Sequence, residues 1–127
     1  MVVDDLRWDD VGAYGHPFVQ TPNIDRIARE GVRFRNAFAT TPLCSPSRAA
    51  IQTGLNPHRA GFAAVANFDP GFPGWTMEID PPIETLPEAL RAAGYATFAV
   101  GKWHLTPDSS MHAGAPRGSW PLQRGFE

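Results

Sequence analysis

Apolar residues fall along this chain in short bursts separated by Pro- and Gly-rich punctuation, and three bursts have a helical period. In T-P-N-I-D-R-I-A-R-E-G, residues 21–31, Ile24, Ile27 and Ala28 share one face, Pro22 stands in the first turn and Gly31 is the stop. A second helix is predicted after Cys44, with Ser45 as its cap, Pro46 supplying a suitable φ, and Ala49, Ala50 and Ile51 carrying it to Gly54. A third starts from the capping box Thr85-Leu86-Pro87-Glu88, presents Leu86, Ala89, Leu90 and Ala93, and ends at Gly94.

Between these helices stand β-prone runs. Met1-Val2-Val3 reads as the last part of a buried strand, Val32, Phe34 and Phe38 bracket a second candidate, and Tyr95–Val100 is a third. Helix followed by buried strand, repeated, predicts an α/β fold with a mainly parallel sheet. Residues 56–82, rich in Pro, Gly and aromatics with no clean period, read as a long ordered loop of the kind reserved for function.

Composition narrows the function classes. A chain of 127 residues accommodates one small domain, and 43% hydrophobic with 19% charged residues is an ordinary globular balance. A net charge of −2 with 11 scattered basic residues leaves no electrostatic footprint for nucleic acid or an acidic membrane surface. Neither partner is implied. No apolar run approaches the ~20 residues of a membrane span, and no segment resembles a signal peptide. Asn23, Asn36, Asn56 and Asn67 all lack Ser or Thr two residues on. These features lean towards a cytoplasmic setting, or towards periplasm or secretion where a leader precedes the chain.

Three constellations can carry chemistry. Cys44, the only cysteine, stands at the mouth of the second helix with Arg48 one turn on, and a helix N-terminus adds a partial positive charge that suits a sulfate or phosphate. The plain alternative is a small buried thiol beside a surface arginine. A Cys-His nucleophile is the other alternative, if one of the four histidines folds back. Asp4 and Asp5 follow a strand end, where open α/β sheets place ligands, and two adjacent carboxylates suit Ca²⁺ or Mg²⁺ without supplying its ~6 oxygens. A solvated turn is the simpler reading of that pair. In G-K-W-H-L, an extended backbone would project Lys102 and His104 to one side. His58 and Arg59 lie near the Cys44 helix in a Pro-initiated turn, and His16 and His112 read as surface residues. Phe68, Phe72 and Trp75 either line an aromatic pocket or pack locally.

Taken together and in order, these segments resemble the sulfatase family. C-S-P-S-R-A-A-I-Q-T-G matches its C-x-P-S-R signature, and V-V-D-D-L-R, T-P-N-I-D-R-I-A-R-E-G-V-R-F and L-P-E-A-L-R-A-A-G-Y-A-T-F-A-V-G-K-W-H-L look like the same family across nearly the whole chain. G-F-P-G-W and W-P-L-Q-R-G-F-E look most like its bacterial arylsulfatase branch. The resemblance implies an alkaline-phosphatase-like fold, a parallel sheet sandwiched by helices, of which residues 1–127 would be the N-terminal part of one catalytic domain, truncated at both ends and inactive alone.

The resemblance also implies a chemistry. Cys44 would be oxidised by a maturation enzyme to Cα-formylglycine, with Cys44, Pro46 and Arg48 as the motif it reads and Ser47 in the motif's Ser position. The hydrated aldehyde would attack sulfur, release the alcohol, and then expel sulfate as the aldehyde re-forms. Asp4 and Asp5, with Cys44, would be part of a Ca²⁺ site, Mg²⁺ being the alternative ion. Arg48 would steady the modified residue. Lys102 and His104 would bind the sulfate, and His104 would help take the diol proton. The implied substrate is a small sulfate ester. A phosphoester or phosphonate monoester hydrolase of the same superfamily and a non-catalytic remnant are the alternatives. An Asp-Asn pair of the metal site, a further lysine and the leaving-group histidine have no counterpart in these residues.

Overall fold

The structure, a computed structural model, describes every residue from Met1 to Glu127 and divides into two compact units, Met1–Phe38 and Ala39–Glu127. Three α-helices form where the period predicts them: α1 (Pro22–Glu30), α2 (Cys44–Thr53) and α3 (Leu86–Ala92). Short 3₁₀ turns occupy Gly12–Tyr14, Pro57–Ala60, Asp108–Ser110 and Pro121–Gln123. None of the helices is long and apolar enough to cross a membrane.

The first unit is held mainly by polar contacts, since Val11 is its one buried hydrophobic residue. The Thr21 hydroxyl accepts the Gly12 N–H at 2.9 Å and donates to the Asp25 carboxylate at 2.8 Å, tying the entry of α1 to the turn before it. The Tyr14 hydroxyl donates to the Phe34 carbonyl at 2.7 Å, and the Arg33 guanidinium bonds the Ala13 carbonyl while lying over the Tyr14 ring. No residue of α1 is buried, and Ile27, placed by its period on the apolar face, is 62% exposed.

In the second unit the core comes from an unexpected source. Ala60, Phe62, Ala66, Met77 and Ile79, all from the Pro- and Gly-rich stretch, join Ala49 of α2 and Leu105 in one buried cluster. Hydrophobic burial does not require a regular element, only backbone groups satisfied on the way in. Here the Pro57–Ala60 turn, capped by the Asn56 side chain on the His58 N–H, and the bond from the Met77 N–H to the Gly61 carbonyl provide that satisfaction.

The predicted capping box of α3 forms, with the Glu88 carboxylate accepting the Thr85 N–H at 2.7 Å. The Thr85 hydroxyl also donates to the Arg124 carbonyl at 3.0 Å, which docks the last residues of the chain on α3. Arg124 completes the junction by donating to the Ile83 carbonyl and pairing with Glu88 at 3.4 Å. A glycine is required at 125: its φ is +94°, and an added Cβ would stand 2.5 Å from the Glu88 nitrogen.

Two expectations change. Ser45 does not cap α2. The helix begins two residues earlier than that cap implies, at Cys44 after an extended Leu43, and Ser45 is fully buried inside the first turn. The predicted sheet is not formed among these residues, which contain no β-strand. Tyr95–Val100 forms no regular element; its backbone bonds run from the Tyr95 N–H to the Leu90 carbonyl and from the Glu127 N–H to the Thr97 carbonyl, and Tyr95, Phe98 and Val100 are exposed. A strand exists only as a member of a ladder, and a parallel neighbour must be brought by a crossover connection. The β-prone runs here have no such neighbour and form no strand.

Candidate active site

α2 is the element on which the candidate chemistry is mounted. Leu43 enters it extended (φ −120°, ψ 139°), and the helix then runs ten residues to Gly54, whose N–H closes on the Ala50 carbonyl. Its inward positions anchor it: Ala49 lies in the core, and the buried Ser45 Oγ accepts the Ala66 N–H at 2.9 Å. Cys44 and Arg48, one turn apart, stay half-buried on a face that remains reachable.

The partners of this face come from more than fifty residues along the chain. The Cys44 Sγ lies 3.2 Å from His104 Nδ1, and the Arg48 guanidinium donates to the Lys102 carbonyl at 2.5 Å. Four predicted site residues, Cys44, Arg48, Lys102 and His104, are therefore gathered at one helix N-terminus. The backbone of the second segment departs from the straight extension that the sequence suggested. Gly101 has φ +103° and His104 φ +58°, so the chain turns at both ends of Lys102-Trp103. A left-handed conformation at a histidine is uncommon, and such strain clusters at functional sites.

Asp4 and Asp5 belong to the first unit, where both are exposed and Asp5 has φ +56°. They provide carboxylate oxygens, the donor type a hard cation selects, but at most four of them, whereas Ca²⁺ takes 6–8. No group of three or more His, Cys, Asp and Glu residues is arranged to hold a metal ion. The pair matches the donor chemistry and would need further oxygens to complete a cage.

Of the other candidates, His58 packs its ring 6.0 Å from Trp75, and Phe72 stands edge-on to Trp75 at 5.1 Å. Trp75 rests against the core while Phe68 and Phe72 are exposed. His58, Phe72 and Trp75 form a local packing cluster. His16 is half-buried, and its Nδ1 accepts the Phe18 and Val19 N–H groups, which makes it a turn-holding residue. The Ser119 carbonyl, which accepts from Trp103 and Thr106, had no signal in the sequence, because a backbone acceptor is the same at every residue; Ser45 was signalled only as a cap, not as an acceptor for the Ala66 N–H.

Comparison with known proteins shows which family the chain resembles along its length. The family model described as Sulfatase matches residues 1–127. N-acetylgalactosamine-6-sulfatase of Sus scrofa is 42% identical over 132 residues, covering 100% of this chain and 23% of the relative. Steryl-sulfatase of Mus musculus is 39% identical over all of this chain and 20% of its own length. Arylsulfatase of Hemicentrotus pulcherrimus is 41% identical over all of this chain and 22% of its own. The crystal structure of Ps i-CgsB superposes with a TM-score of 0.78 at 33% identity, covering 98% of this chain and 25% of that one. A Bacteroides thetaiotaomicron protein titled for metabolism of multiple glycosaminoglycans superposes with a TM-score of 0.71 at 36% identity, covering 94% and 24%. The chain thus spans about a quarter of the length of these relatives, and it belongs to the sulfatase family.

Proposed function

We propose that this chain carries the nucleophile side of a sulfuric ester hydrolase, in which a formylglycine made from Cys44 cleaves sulfate monoesters. The observation that carries the reading is the meeting of Cys44 at the first position of α2 with His104 at 3.2 Å, while Arg48 holds the backbone of Lys102. Relatives named for sulfated galactosamine, steryl and aryl substrates share only the sulfate monoester, which is the substrate class proposed here.

Each side chain has a task in that reaction. The N-terminal end of α2 favours an anion placed against Cys44. Lys102 offers a compact cation to a peripheral sulfate oxygen, where charge builds as the ester bond breaks. His104 takes a proton from the oxygen that replaces the Cys44 sulfur, its Nδ1 being at the right distance to do so. Arg48 acts on the turn as well as on charge, because its bond to the Lys102 carbonyl fixes where Lys102 and His104 begin. Once formed, the formylglycine supplies a hydrated aldehyde with one hydroxyl for attack and a second for release of sulfate. Asp4 and Asp5 would be part of the set holding a divalent cation, Ca²⁺ or Mg²⁺, which would polarise the sulfate. Ser45 and Pro46 are buried in the folded chain, so a maturation enzyme must read the motif before α2 packs. With these ligands incomplete, the 127 residues alone are expected to be inactive.

The test uses the full-length protein produced with a formylglycine-generating enzyme. Peptide mass spectrometry should find the Cys44 peptide without H₂S and with one added O. Hydrolysis of 4-nitrophenyl sulfate should vanish in Cys44→Ala and weaken with chelator. Hydrolysis of 4-nitrophenyl phosphate in preference to the sulfate would assign the protein to phosphoester chemistry, and an unmodified thiol would favour a non-catalytic remnant.

A further inference from the structure

We infer that Trp103 and Thr106 are positioning residues that present His104 to Cys44 by sharing one backbone acceptor, the carbonyl of Ser119. The inference rests on the sulfatase reading for its kinetic consequence and on geometry alone for the placement. The Trp103 indole Nε1–H donates to the Ser119 carbonyl at 2.9 Å, and the Thr106 hydroxyl donates to the same oxygen at 3.0 Å. Ser119 is buried, so this carbonyl has both lone pairs engaged by the two side chains that flank His104.

Packing reinforces the clamp. The Trp103 ring stands edge-on to Phe126 at 5.9 Å and rests against the core, while Leu105 is 1% exposed inside that core. Residues 103, 105 and 106 are therefore all anchored on one side, and His104 between them leaves the anchored side through its left-handed backbone. A histidine free to choose would relax to a negative φ. The two bonds to Ser119 hold the conformation that brings its Nδ1 to Cys44. This also explains why the W-P-L-Q-R-G-F-E segment matters to a site it does not enter: it supplies Phe126 and follows directly on Ser119.

The experiment is made on the full-length protein in two forms. In the unconverted form, the rate of Cys44 alkylation by iodoacetamide at one fixed pH reports the presence of His104 beside the thiol, with His104→Ala as reference. In the converted form, kcat and KM are measured on 4-nitrophenyl sulfate. Trp103→Phe keeps the ring and removes the donor, while Thr106→Val removes the other donor and Thr106→Ser keeps it. The expected result is that Trp103→Phe and Thr106→Val move the alkylation rate towards that of His104→Ala. They should also lower kcat by about tenfold or more, since an ångström of misplacement costs about 100-fold, with KM changed less than about twofold. Thr106→Ser should restore wild-type values. Wild-type alkylation and kcat in folded Trp103→Phe and Thr106→Val would overturn the inference. If Trp103→Phe does not fold, the Thr106→Val and Thr106→Ser pair decides on the same terms. Expected alkylation shifts in a protein that cleaves no sulfate would retain the positioning and refute the sulfatase reading.

Discussion

Replacing Ser45 by Ala removes one oxygen atom from a fully enclosed position of α2. Ser45 is 0% exposed, and its Oγ accepts the N–H of Ala66, itself 3% exposed, at 2.9 Å. The variant strands a donor where water does not reach, and an unsatisfied buried group of this kind costs about 1–3 kcal/mol. Urea unfolding followed by tryptophan fluorescence should therefore show a lower midpoint with an unchanged slope. Ser47→Ala, a half-buried neighbour on the same helix, is the control and should stay within about 0.5 kcal/mol of wild type. If Ser45→Ala unfolds with the control, the Ala66 N–H has found another partner and the bond does not hold the 62–66 stretch against α2.

Three further outcomes are expected. Gly125→Ala places a Cβ 2.5 Å from the Glu88 nitrogen at φ +94° and should destabilise by about 2 kcal/mol or more, read as a fall in Tm. Arg124→Leu leaves the Ile83 carbonyl and Glu88 without their cation; because Glu88 is partly exposed, the expected loss is about 2 kcal/mol in urea rather than the full penalty of a buried pair. Arg7→Ala removes a 2.6 Å pair with Asp9 whose arginine is 72% exposed, and should change stability by less than about 0.5 kcal/mol, with a larger change refuting its treatment as a surface pair.

Periodicity and punctuation determined the three helices, because a helix satisfies its backbone within a local stretch and its caps are local residues; Thr85 and Glu88 announce α3 without reference to anything else. The signature C-S-P-S-R, with G-K-W-H and D-D, likewise named the candidate residues in one dimension. Tertiary structure decided what local patterns cannot carry. Ser45 looked like a cap and became a buried acceptor because α2 starts at Cys44 and the 62–66 stretch crosses it. The loop expected only to bear function builds most of the core, since burial depends on which apolar atoms meet and not on the period that delivers them. The β-prone runs did not become strands, because a ladder needs a partner as well as a propensity. The distance of 3.2 Å between Cys44 and His104 spans sixty residues of sequence and exists because the Ser119 carbonyl, Leu105 and the left-handed turn at His104 bring the second segment to the first.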